Sequence, residues 1–82
     1  QAADELLSIK GVEASFALFV DGEDVNISAR SMGDFNVQLV MEALGGGGHL
    51  TMAATQLNCS MNEARKRLAD AIDEYWENNS QE

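Results

Sequence analysis

The sequence contains no proline, one cysteine and one histidine, and only five lysines and arginines against 14 aspartates and glutamates in 82 residues. Each shortage excludes something. Cys59 cannot close an internal disulfide, and one histidine beside it makes no Cys/His set for zinc, so neither a staple nor a metal is expected to supplement the core. A net charge of −9 argues against a duplex-DNA or broad RNA surface, which neutralises several phosphates with lysine and arginine. It leaves room for one small anionic ligand at one local site, because net charge averages over places the ligand never visits. Nor is there a long hydrophobic run. The longest stretch without a formal charge, Ala43 to Asn62, holds four glycines, a histidine and several amides and does not read as a membrane span.

What is present, 45% hydrophobic and 23% charged residues, is the composition of an ordinary globule long enough for one domain with a modest core. The cysteine usage is compatible with a reducing compartment. The chain starts at Gln1 with no charged-then-apolar leader, and it is expected to be a domain cut from something longer.

Ala2 to Ile9, with Ala3, Leu6 and Leu7 on one side and Gly11 beyond, reads as a short helix. Phe16 to Val20 is a continuous apolar run stopped by Asp21-Gly22, the pattern of a strand buried on both faces. Val25 to Arg30 alternates strictly, so Asn26, Ser28 and Arg30 share one face and a hairpin joins the two strands. Val37, Val40, Met41 and Leu44 have helical spacing over Asn36 to Leu44, with Asp34 or Asn36 as cap and Gly45 just past the end. Leu50 to Leu57 reads as a helical turn leading into a short strand near Ala54–Leu57. Ser60 and Glu63 form a capping-box pair ahead of the stripe Met61, Ala64, Leu68, Ile72, Tyr75 and Trp76. The order α-β-β-α-β-α predicts an α+β (α/β) fold, a small mixed sheet with a hairpin packed against helices.

The most unusual feature is Gly45-Gly46-Gly47-Gly48-His49. Glycines lack a Cβ and let N–H groups approach a phosphate, and a histidine beside them can donate, so the run is a candidate anion cradle. It is neither a Walker loop nor a dinucleotide fingerprint. The plainer alternative makes Gly45 a helix cap and the rest a connection. Arg30, at the end of an uncharged polar face, is the second anion candidate, since a guanidinium can grip phosphate bidentately. Its alternative is a surface ion pair with one of the many acids. Arg65, Lys66 and Arg67 read as a solvated helix face, because Glu63 precedes Arg67, and Lys66 precedes Asp70, by four residues. Met32, Met41, Met52 and Met61 read as core filler and Cys59 as a small buried hydrophobe. No metal-ligand set and no activated serine or cysteine is visible, so the chain alone is not expected to be an enzyme.

Ser28-Ala29-Arg30-Ser31, Asn36-Val37-Gln38, Gly45 to His49 and Ala53-Ala54 together resemble the DHH-associated domain 1, the C-terminal lobe of DHH-family phosphoesterases, over about Ala2 to Trp76. Within that family the chain most resembles the membrane-anchored cyclic-di-AMP phosphodiesterases that carry PAS-like and degenerate GGDEF domains. In many nanoRNases and single-strand exonucleases of the family a glycine follows the paired alanines, where this chain has Thr55. The resemblance implies a cytoplasmic lobe that holds a cyclic dinucleotide or short oligonucleotide while the preceding DHH domain of the same chain cuts. His49, the backbone of Gly45, Gly46, Gly47 and Gly48, and Arg30, supported by Ser28, would bind phosphate and sugar. It implies no cofactor in this segment, manganese in the DHH domain of the parent, and no duplex DNA or membrane contact here. Two other readings stand beside it: a grip on single-stranded RNA of the exonuclease kind, and a non-enzymatic regulatory or protein-interaction module.

Overall fold

The strict alternation after Asp24 sets the architecture, because it gives one strand an apolar face and a polar one. The computed structural model describes residues 3–79. It contains strands β1 (Glu5–Ile9), β2 (Ala14–Asp21), β3 (Asp24–Ser31), β4 (Gly47–His49) and β5 (Met52–Leu57), and helices α1 (Val37–Ala43) and α2 (Met61–Asn79). The strands form one sheet in the order β1-β2-β3-β5-β4, with every neighbouring pair antiparallel. The α+β class expected from the sequence holds.

Both helices lie against the same face of this sheet. Phe16, Leu18, Val25, Ile27, Ala29, Ala53 and Leu57 are buried there with Val37, Val40 and Met41 of α1 and Ala64, Leu68, Ala71 and Ile72 of α2. Phe35 joins the layers: its ring centroid lies 6.3 Å from that of Phe16 and 4.5 Å from that of Tyr75. The Tyr75 hydroxyl accepts from the Asn36 N–H at 3.1 Å, and the Asn36 side chain in turn caps α1 by accepting from Gln38 and Leu39. Asn36, rather than Asp34, is therefore the cap. At the start of α2 the Ser60 hydroxyl accepts from the Glu63 N–H, while the Glu63 carboxylate faces Arg67.

Four expectations are corrected. The segment expected to be a helix over Ala2–Ile9 is the edge strand β1, with Ala2 outside the described residues; its i, i+3, i+4 apolar spacing is too short to specify a period, and pairing with β2 covers what would otherwise be an open edge. The run Phe16–Val20 is buried on one face only, since no helix crosses the other, where Ala17 and Phe19 are half-buried; Val20, on the helix side opposite Val25, is exposed at the strand's end. Gly47–His49 is a strand, and Leu50–Thr51 is a two-residue hairpin turn rather than a helical turn. Of the methionines, Met41 is buried and Met61 packs against the core, but Met32 and Met52 are 83% and 51% exposed. Cys59 packs partly buried against the core, as a small hydrophobe does.

Candidate functional site

The face of the sheet that the helices leave open collects the polar residues of the strands. The registers define its rows. Ser8, Ser15, Arg30, Met52 and His49 face one another in succession across β1, β2, β3, β5 and β4. The next row is Leu6, Ala17, Ser28, Ala54 and Gly47. Arg30 and His49, 19 positions apart in the chain, thus flank Met52 with backbones about 10 Å apart, two interstrand spacings. Beside them Ser28, Ala54 and Gly47 form a shallow floor of small residues.

Electrostatics separates the two ends of this face. Arg30 and His49 stand at one end, both exposed, and among the described residues neither side chain has a hydrogen bond or an ion pair. The ion pair expected as the plain alternative for Arg30 is not formed among the described residues. The arginines of α2 are paired instead, Arg65 with Glu5 of β1 and Arg67 with Glu63 within the helix. At the opposite end Asp21 and Asp24 mark the β2–β3 turn. Their carboxylates accept from the amides of Asn26, Gln56 and Asn58. These two carboxylates are held away from Arg30 and His49 by the length of the strands.

The four glycines divide into separate jobs. Gly45 follows the Leu44 C-cap with φ +89°, and the N–H groups of Gly45 and Gly46 donate to the Glu42 and Met41 carbonyls, a Schellman termination of α1. These two amides are engaged within the chain. The backbone that remains available to a ligand is that of Gly47–His49, an edge strand whose outward peptide groups face no other strand. Gly46 and Gly48 are required by close approach to β5: a Cβ on Gly46 would lie 2.1 Å from the Ala54 carbonyl oxygen, and one on Gly48 2.5 Å from the Ala53 Cα. Gly47 has nothing within 4 Å of where its Cβ would be and ordinary backbone angles. No packing inside the chain explains why it is glycine.

The structure therefore places Arg30, Ser28, Gly47 and His49 on one face and assigns Gly45, Gly46 and Gly48 to the support of that face. Sequence reading placed Asn26 on this face with Ser28 and Arg30 but missed Met52, between Arg30 and His49, and Gln56 farther along. The signal was available: Met52, Ala54 and Gln56 alternate with the buried Ala53, Thr55 and Leu57. Among the described residues no three His, Cys, Asp or Glu side chains stand close enough to hold a metal ion, and no helix is long and apolar enough to cross a membrane.

Comparison with known proteins identifies the family of the chain. The DHHA1 domain family matches residues 1–78. The cyclic-di-AMP phosphodiesterase GdpP of Bacillus subtilis is 63% identical over 79 residues, covering 94% of this chain and 12% of that protein. The cyclic-di-AMP phosphodiesterase PdeA of Listeria monocytogenes is 55% identical over 78 residues, 93% of this chain and again 12% of the relative. The chain thus spans about one eighth of the length of these relatives. Among solved structures, an exopolyphosphatase-related protein from Bacteroides fragilis superposes with a TM-score of 0.72 at 39% identity, over 83% of this chain and 20% of the other.

Proposed function

The chain belongs to the DHHA1 domain family, and from that premise we propose that it is the substrate-gripping lobe of a longer phosphodiesterase that hydrolyses cyclic-di-AMP. The observation that carries this reading is the row Arg30, Met52, His49 on the open face. Two side chains able to donate to an anion, without partners among the described residues of an acidic chain, flank an apolar side chain and a small-residue floor. That combination suits a phosphate between the bases and a flat nucleobase against the floor. Met52 is flexible and polarizable, which fits stacking on a ring. Names of relatives that are cyclic-di-AMP phosphodiesterases support the choice of substrate.

In this mechanism the lobe binds and orients. Arg30 and His49 fix a phosphate by charge-assisted hydrogen bonds, Ser28 donates from the neighbouring row, and the outward backbone groups of Gly47–His49 complete the grip. Bond cleavage belongs to the preceding DHH domain of the parent. Manganese, supplied there, would polarise the phosphate; the described residues of this chain offer no ligand set for it, so none of their steps passes through a metal.

The test uses the full-length parent. Arg30→Ala and His49→Ala should each raise KM for cyclic-di-AMP by roughly 10- to 100-fold, the range of one lost charge-assisted hydrogen bond. Metal content should stay at the wild-type level. Wild-type KM and kcat/KM in both variants would overturn the proposal.

A further inference from the structure

Thr55 is the one polar residue on the helix-facing side of β5, between Ala53 and Leu57 and opposite Ile27. It is 7% exposed. A hydroxyl in such a row is unfavourable unless it is bonded. Its Oγ1 donates to the Leu44 carbonyl at 3.0 Å. That carbonyl is the C-cap acceptor of α1, immediately before the glycine run. The Thr55 backbone and Cβ are also what Gly46 packs against: a Cβ on Gly46 would lie 2.5 Å from the Thr55 Cβ and 2.7 Å from its Cα.

Two contacts therefore fasten the entry to the glycine hairpin onto one residue. Its exit is fastened separately. The Leu50 carbonyl accepts from the Val37 N–H at 3.1 Å and the Thr51 carbonyl from the Ser31 N–H at 3.0 Å. Between these anchors lie only Gly47, Gly48 and His49 of β4, paired with β5 on one side alone. A three-residue edge strand of this composition has little to hold its own register, because glycines contribute no side-chain packing.

We propose that Thr55 is the positioning residue for the nucleotide grip: its hydroxyl, by holding the Leu44 carbonyl, sets where β4 carries His49 relative to Arg30. This rests on the reading of Arg30 and His49 as the grip. Thr55 touches no substrate; its side chain faces the helices, on the opposite side of the sheet from His49. Its effect is on the population of chains with His49 in place, and so on binding more than on the chemical step.

The experiment compares Thr55→Val, which keeps shape and removes the hydroxyl, with Thr55→Ser, which keeps the hydroxyl, in the full-length parent, with Arg30→Ala and His49→Ala alongside. Thr55→Val should raise KM for cyclic-di-AMP about three- to tenfold, the factor corresponding to one net hydrogen bond, with kcat within twofold. Thr55→Ser should return KM to within about twofold of wild type, a rescue that lost packing alone would not give. If Thr55→Val does not accumulate as folded protein, Thr55→Ala set against Thr55→Ser decides by the same criterion. Equal KM in the hydroxyl-free and hydroxyl-bearing variants overturns the proposal. If they are equal while Arg30→Ala and His49→Ala remain impaired, only the positioning role fails. If all four variants bind like wild type, the grip itself fails.

Discussion

At the residue scale, the glycine run shows how identical residues answer to different constraints. Gly46 and Gly48 are demanded by the backbone of β5, 2.1–2.7 Å from where a Cβ would sit, whereas Gly47 faces open space. Gly46→Ala should therefore destabilise the chain by about 1–3 kcal/mol, the usual cost of forcing a methyl into filled space, measured by denaturant unfolding. Gly47→Ala should be neutral or stabilise by up to about 1 kcal/mol, since its backbone angles suit alanine. The same methyl lies on the open face beside Ala54 and Ser28, so in the parent it should raise KM despite an unchanged fold. A Gly47→Ala enzyme with wild-type KM would mean that nothing lies against that floor. The neighbouring Arg30 makes a related point: its type marked it as an anion candidate, but that it makes no ion pair with another described residue is visible only in three dimensions.

At the element scale, α1 is short, seven residues, and does more than cover the core. Its first amide holds Leu50, its C-cap carbonyl is held by Thr55, and its cap residue Asn36 is held by Tyr75 from α2. It brackets the glycine hairpin at both ends. The second helix has a cap of the same chemical kind in Ser60 but no backbone hydrogen bond to β4 or its turn. Asn36→Ala and Ser60→Ala should each cost about 1 kcal/mol of stability, read from the unfolding midpoint. In the parent, Asn36→Ala alone should also raise KM; a matched effect of Ser60→Ala would show that general stability, not the bracket, controls binding. The α1 stripe and the α2 stripe were both legible in the sequence, because each has enough turns for a 3.6-residue period to repeat. The edge strand β1 was not, because five residues with two adjacent leucines satisfy either period.

At the scale of the whole molecule, the sheet divides the charge. Most of the acids lie on α2, near the termini and at the β2–β3 turn, and the row of the open face that bears Arg30 and His49 has no carboxylate in it. An acidic protein can in this way present one local basic site. A grip of at most two cationic contacts on a small ligand gives a shallow salt dependence, so kcat/KM for cyclic-di-AMP in the parent should fall less than about tenfold between 50 and 200 mM salt. A fall of about a thousandfold, the behaviour of a surface making six to ten phosphate contacts, would point instead to an extended nucleic-acid track.

The sequence by itself determined the α+β class, the β2–β3 hairpin, both helices, and the identity of Arg30, His49 and the glycine run as anion candidates. These follow from local chemistry: alternation, helical period, caps, turn residues and the scarcity of basic side chains. Tertiary structure decided which face stays open, that β5 lies between β3 and β4, and hence that Arg30 and His49 share a row across Met52. Pairing between strands distant in sequence is set by which apolar faces can be buried together, and one residue's shift in register would turn His49 to the other face. A single strand's pattern does not contain that choice.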